Sequence, residues 1–335
     1  MRFRTILSFV LILFLVTACG NRAEPPATAA PMATDTSVPA PVVTPTAGIP
    51  LAVLVLPPDL DADTSNLYQK TVYDLTQQAG YRFQVLNSLT PEGLDPALKV
   101  VIAVSTDPGL AQLAAAAPQA QFLAINIPDV TPGGNVSVLA NSTQTDMAAF
   151  LAGYTAALTT EDFRIGMIMP KDNAQAIAAL NAFAKGMTYY CGTCKPVLFY
   201  AWTYPQYIEI PSTEDVNNYD AYADILMSQY KVGNIFLYPD IYTQDLATYI
   251  GTTGTNMIGT ISPEQKPAGW MMTIQPDVVK AIQNAWPQLT GGQGGLTIQS
   301  PLGLADIDPN LLSEGKQRLV EETLQKLQAG QIAIQ

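Results

Sequence analysis

Cysteine and carboxylate carry most of the reactive chemistry open to this chain, because histidine is absent from all 335 residues. Without imidazole there is no Ser-His-Asp or Cys-His nucleophile and no His-containing metal site. Cys191-Gly192-Thr193-Cys194 has the spacing of a redox-active pair. It lacks the strand-to-helix setting that such chemistry needs. A local disulfide pinning a turn in an oxidising compartment is therefore the expected state, with redox chemistry or two free thiols as alternatives. A zinc site would need two further ligands that the sequence does not offer. Asp59/Asp61 and Asp306/Asp308 are spaced closely enough to suggest the carboxylates of a glycoside hydrolase, but nothing sets them opposite each other across a cleft. Asp61-Ala62-Asp63 could touch Ca²⁺, yet the glycine and glutamate of a calcium loop are missing. The expectation is a protein that binds and does not catalyse, with no metal and no cofactor.

Recognition chemistry is better represented. Short polar residues gather where apolar runs end: Asp59 through Asn66, then Ser105, Thr106 and Asp107, then Asn126, with Asp129 close by. Further on come Lys171 with Asp172 and Asn173, then Trp202 and Tyr204, then Tyr238 and Asp240. Asp146 and Trp270 complete the set of candidate ligand contacts. Many of these types also suit helix N-caps and turns. Carboxylates such as Asp59 and Asp107 would accept hydrogen bonds from hydroxyl or amino groups. The aromatic residues Trp202, Tyr204, Tyr238 and Trp270 could stack on a ring.

The elements that must position these residues follow from periodicity. Apolar, β-branched runs predict strands at 51–56, 83–87, 100–105, 121–127 and 136–140, then at 164–169, 196–201, 234–239 and 257–261. Amphipathic segments predict helices at 64–79, 108–117, 144–160, 174–188, 218–230 and 242–250. Alternating strand and helix implies parallel sheets covered by helices on both faces. Ligands of such sheets bind beyond the carboxyl ends of the strands, where the polar residues above fall. The segment 144–160 is apolar nearly all round, so it belongs at the centre of a core. Thr143 and Asp146 form a capping-box signal at its start.

Composition bounds the rest. The formal charge of −12, spread without long acidic runs, argues against nucleic acid as a partner. About 285 residues follow the first fifty, more than one core usually holds, so two α/β lobes are expected. Residues 20–49 are dominated by Pro, Ala and Thr and are expected to form an extended tether. Before them, Arg2 and Arg4 precede an apolar stretch from Ile6 to Val16 that is too short for a comfortable membrane span. It ends in Val16-Thr17-Ala18-Cys19, which resembles the lipobox of bacterial prolipoproteins. That resemblance implies a signal peptide over 1–18, lipidation of Cys19, and a protein anchored at the outer face of a membrane, periplasmic or at the cell surface.

From Leu51 onward the chain resembles the basic membrane protein family of ABC-transporter substrate-binding lipoproteins. The resemblance is carried by Asn135 to Tyr154, which contains Phe150-Leu-Ala-Gly-Tyr154, by Arg164 to Met169, by Ala178 to Gly186, and by Ser313 to Ile332. It implies a type I periplasmic-binding-protein fold, with two Rossmann-like lobes closing on a ligand cleft. The first lobe would hold 50–141 and 268–298, and the second 142–267 and 299–335. Crossings between them are expected near Ala140 to Thr143, Ser262 to Thr273 and Thr297 to Pro301. A closing helix over the tail is expected to precede a short strand. The resemblance further implies capture of a nucleoside or related compound, its ribose held by carboxylate and lysine, and delivery to a permease by a monomer. A ligand-sensing lipoprotein docking on a receptor is the alternative. Where the family often reads Gly-Val-Asp-x-Asp, this chain reads Gly259-Thr-Ile-Ser-Pro263. In the opening loop, Asp59 and Asn66 are the positions the resemblance carries over.

Overall fold

The computed structural model describes residues 48–142, 144–193 and 203–334. All of them belong to one compact unit, Ala47–Gln335. The strands are β1 Leu51–Val55, β2 Arg82–Leu86, β3 Leu98–Val104, β4 Gln121–Ile125, β5 Val136–Ala140, β6 Ile165–Pro170, β7 Gln206–Ile210, β8 Asn234–Leu237, β9 Asn256–Gly259, β10 Trp270–Pro276, β11 Thr297–Gln299 and β12 Leu302–Ala305. The α-helices are α1 Ala62–Ala79, α2 Leu110–Ala116, α3 Thr145–Thr159, α4 Ala174–Cys191, α5 Tyr219–Asp224, α6 Gln244–Thr252, α7 Val278–Thr290 and α8 Glu314–Gln328.

Two six-stranded sheets organise these elements, in the orders β11-β5-β4-β3-β1-β2 and β12-β10-β9-β8-β6-β7. Every pairing is parallel except β10 with β12, where Thr273 faces Ala305 in antiparallel register. The strand sequences explain the layering. Successive side chains alternate between faces. Val53, Val55, Val101 and Phe122 therefore pack with Leu110 and Leu113 of α2. Leu54, Ile102 and Leu123 pack on the other face with Val72 of α1 and Ile282 and Trp286 of α7. With both faces covered, β3 can be apolar at every position but Lys99.

In the second lobe α3 is buried from Ala148 through Leu158, as its all-round apolar sequence requires. It lies in one core with α4, α8 and residues Ile165, Met167 and Met169 of β6. The opposite face packs Ile168, Ile210 and Leu237 against Leu246, Ala247 and Ile250 of α6.

The chain crosses between lobes three times, and one crossing differs from the sequence expectation. Crossing one follows β5. The return is placed by sequence at Ser262 to Thr273, but Trp270–Pro276 pairs with β9 and β12, so it belongs to the second sheet. The chain leaves at Pro276–Asp277, and lobe one regains α7 and β11 only. Crossing three runs from Gln299 to Leu302. The first and third crossings are tied together, with Ser300 N donating to Ala140 O at 3.1 Å.

Other expectations need correction as well. The strand expected at 196–201 lies outside the described residues. The described edge strand is β7, whose Gln-Tyr-Ile-Glu-Ile pattern carries a weaker apolar signal. The helix expected over 218–230 is broken into a 3₁₀ turn, α5 and a π-helical turn over Ile225–Gln229. Thr143, the expected cap of α3, lies outside the described residues. Gln144 holds the N-cap position with a left-handed backbone and no capping bond of its own. After α8 the described residues 329–334 contain no strand. Among the described residues no helix is long and apolar enough to cross a membrane.

Candidate functional site

Parallel topology puts the ends of β1, β3, β4 and β5 along one edge of the first sheet, and those of β6, β7, β8 and β9 along one edge of the second. The loops beyond these ends hold most of the candidate contacts. In the first lobe, Asp59 is exposed in the turn after β1 and Asn66 is exposed on α1. Ser105, Thr106 and Asp107 follow β3 and are exposed. Asp107 has a structural task, because its Oδ1 accepts from Gly109 N at 2.9 Å and Leu110 N at 2.8 Å. Asp61 does the same for α1, accepting from Thr64 N at 2.9 Å. That bond, with others from the same turn, holds the Asp61 carboxyl below the usual carboxylate range.

Three of these strand ends carry non-glycine residues with left-handed backbone. Ser105, Asn126 and Asp172 adopt left-handed conformations, with φ of 60°, 53° and 54°. Each follows within two residues the last residue of β3, β4 or β6. Non-glycine residues occupy this region at some cost, and such costs gather at sites that need a particular shape.

The second lobe contributes a cavity of about 800 Å³ lined by the loops after β6, β7 and β8. Lys171, Asp172, Asn173, Ser212, Thr213 and Asp240 are among its polar lining residues. Lys171, Asp172 and Asp240 form no ion pair among the described residues. Asn173 caps α4 by accepting from Ala176 N at 3.0 Å. Ser212 and Thr213 were not readable as site residues, because their place at the cleft edge depends on β7 ending at Ile210. A second cavity of about 340 Å³ lies between Thr64, Leu67 and Tyr68 of α1 and the second crossing, including Gln275 and Pro276.

Tyr238 directly follows β8 and is 4% exposed. Burial raises its phenol above the ordinary value, and the charges of Asp240 and Asp146 raise it further. Asp240 is its near neighbour in sequence, and Asp146 reaches it from α3. Asp146 is itself exposed in the first turn of α3.

The aromatic candidates fare differently. Trp270 is fully buried, and its Nε1 donates to Thr273 Oγ1 at 3.1 Å. Thr273 Oγ1 in turn donates to Asp306 Oδ2 at 2.6 Å, which also accepts from Ser262 Oγ at 2.6 Å. Trp270 is therefore a core residue and cannot stack on a ligand. Tyr204 also leaves the candidate set. It precedes β7, at the sheet edge opposite the cleft, and its hydroxyl donates to Tyr230 O at 2.6 Å. A strand at 196–201 would have put Tyr204 after a strand end, and β7 puts it before a strand start. Trp202 lies outside the described residues. Tyr242, not singled out from sequence, packs edge-on against Trp270 at 5.8 Å. Its phenol is raised by burial first, then by Glu264 and Asp306.

Cys191 ends α4 and is disulfide-bonded. Cys194 and Cys19 lie outside the described residues. Among the described residues no group of three His, Cys, Asp or Glu side chains could hold a metal ion.

No protein-family model matches the chain. No curated protein matches it either. Solved structures do. An ABC transporter solute-binding protein from Conexibacter woesei shares the fold with a TM-score of 0.52 and 13% identity, over 85% of this chain and 98% of that one. A transcriptional activator of the comK gene from Bacillus halodurans gives 0.48 at 10% identity, over 83% and 97%. A solute-binding protein from Aeropyrum pernix gives 0.42 at 14% identity, over 85% and 93%. The first likeness shows the fold: two parallel-sheet lobes of the type I periplasmic-binding-protein kind.

Proposed function

We propose that this protein is a solute-binding protein of an ABC transporter that captures a small polar ligand between its lobes and delivers it to a permease. The observation that carries this reading is the 800 Å³ cavity at the strand ends of the second lobe, lined by the uncommitted charges of Lys171, Asp172 and Asp240. Charges without protein partners at a cleft edge suit a ligand that supplies them. The name of the Conexibacter woesei neighbour agrees with the same role.

The structure also bears on the ligand class. Trp270 and Tyr204 are removed as stacking faces, and the described cavity lining offers hydrogen bonds from amide, hydroxyl, ammonium and carboxylate groups. A hydroxyl-rich ligand, such as a nucleoside held mainly through its ribose or a free sugar, fits that lining. Catalysis is not part of the reading. Asp107 and Asp61 serve as caps, and Asp306 braces Thr273 and Ser262.

A thermal-shift screen of nucleosides, bases and sugars tests the reading. A ligand at 100 times its Kd should add about 2.7 kcal/mol of stability, and no shift with any compound would overturn it. For a compound that binds, Lys171→Ala should weaken affinity about tenfold or more, since a bond to a charged group contributes roughly 1.5–3 kcal/mol. The same change should leave the ligand-free melting temperature in place, because Lys171 is exposed.

The anchor at Cys19 belongs to the same proposal and rests on the sequence 16–19. In a bacterial host the full chain should partition with membranes, and Cys19→Ser should release it. Equal partition of both forms would remove the anchor.

A further inference from the structure

We propose that Asn141 is a positioning residue that turns the Asn126 amide so that its Nδ2, and not its Oδ1, meets the ligand; this rests on the solute-binding reading above. Asn126 stands one residue beyond β4, exposed, on the rim of the first lobe. Its Oδ1 accepts a hydrogen bond from Asn141 Nδ2. Asn141 belongs to the first crossing, and its own Oδ1 accepts from Ser300 Oγ at 2.5 Å. The chain of polarity therefore begins at Ser300, in the third crossing.

Ser300 is fully buried. Its backbone is held at both ends by the first crossing, through the bond to Ala140 O and through Gln144 Nε2, which donates to Ser300 O at 3.0 Å. Gln299 Nε2 reinforces the pair by donating to Ala140 O and Ser142 Oγ, each at 2.9 Å. Suppose the Asn141 amide were reversed. Its Nδ2 would then donate to Ser300 Oγ, and the hydroxyl would lose Asn141 Oδ1 as the acceptor of its own proton. Leaving a buried donor unpaired carries a desolvation cost that the observed orientation avoids. Ser300 thereby fixes Asn141, and Asn141 fixes Asn126.

The consequence is a rule about the ligand. With its oxygen turned toward Asn141, Asn126 presents its N–H donors outward. The ligand atom at the rim of the first lobe is then favoured as an acceptor: a ring nitrogen, a carbonyl oxygen or a hydroxyl oxygen. An ammonium or amino group at that position is disfavoured.

Two substitutions separate this role from a merely structural one. Asn126→Asp keeps an oxygen for Asn141 Nδ2 and removes the donors. Asn141→Asp still accepts from Ser300 Oγ, but forces Asn126 to donate toward residue 141, so that Oδ1 turns to the ligand. Calorimetry with adenosine, uridine, D-ribose and D-galactose is the readout. For whichever probe binds the wild type, both variants should lose tenfold or more in affinity at an unchanged ligand-free melting temperature. Wild-type affinity in both variants overturns the proposal. If no probe binds the wild type, the solute reading fails for these compounds. Side-chain amide NMR then decides the polarity by itself. Asn141 protons that behave as hydrogen-bonded, beside solvent-like Asn126 protons, support the proposal, and the reverse pattern overturns it.

Discussion

Trp270→Ala should destabilise the second lobe by about 3–5 kcal/mol, the range for removing a buried aromatic side chain. The side chain is fully buried against the α6 face of the sheet, among Ile250, Met257 and Leu246. Its ring lies against the backbone of Gly259. A Cβ added to that glycine would stand 2.4 Å from the far end of the indole. The indole N–H is the first donor of a chain that passes through the fully buried Thr273 hydroxyl to Asp306 and Ser262. Deleting the ring therefore opens a cavity and takes a donor from Thr273. Far-ultraviolet circular dichroism against urea reads the loss. The partner substitution makes the argument specific. Gly259→Ala should destabilise the wild type, and should do so much less in the Trp270→Ala background, where the ring it strikes is gone. Residues in contact give such non-additive pairs. An exposed ligand-stacking tryptophan would behave differently, with affinity falling and stability nearly unchanged. That result would restore Trp270 to the site.

What the sequence conveyed about Trp270 was its type and its nearness to a strand end, and neither reports which way the ring points. Local pattern serves well where burial is repetitive. The runs Leu51–Val55, Leu98–Val104 and Gln121–Ile125 are buried on both faces, so each is legible as an interior strand. Pattern fails at edges. Gln206–Ile210 pairs on one side only, and Tyr207 is nearly half exposed, so its alternation is diluted. The apolar run ahead of it drew the expectation instead, and Tyr204 was displaced with it. Crossing positions are a second blind spot. Whether Trp270–Pro276 ends in one lobe or the other is decided by which sheet edge accepts its hydrogen bonds, and β9 and β12 lie far from each other in sequence. The hinge ties are least legible of all. Ser300 and Asn141 are 159 residues apart, and nothing local marks either one. The polar loops at the cleft lie between these extremes. Lys171, Asp172 and Asp240 were nameable from where their strands end, whereas Ser212 and Thr213 required the correct end of β7.

Gly153→Ala and Gly186→Ala should each break the packing of α3 on α4, and either change should cost more than an ordinary small-to-large core substitution. Such substitutions typically cost about 1–3 kcal/mol, and more where the neighbour cannot move. Here it cannot. A Cβ on Gly153 would stand 2.0 Å from the backbone oxygen of Phe183, and one on Gly186 would stand 1.9 Å from that of Phe150. The two contacts are reciprocal: each helix places a glycine against the carbonyl that the other presents one turn before its own glycine. Relief requires the helices to part by more than 1 Å, since carbon and oxygen need roughly the separation of ordinary non-bonded contact. Parting them would also loosen Phe150 and Phe183, both almost fully buried in the same core, and the stacking of Phe183 on Phe236 at 5.9 Å. Small residues in Phe150-Leu-Ala-Gly-Tyr154 permit close helix approach, and the structure identifies the surface that approaches. The expected outcome is loss of soluble protein or a large fall in the unfolding midpoint for each single variant. Gly254→Ala is the control: it lies at φ 77° with nothing among the described residues within 4 Å of an added Cβ, so its cost is one of backbone strain. If Gly153→Ala and Gly186→Ala unfold no more readily than this control, the close crossing of α3 and α4 is wrong. The second lobe would then need another account of how its most buried helix is held.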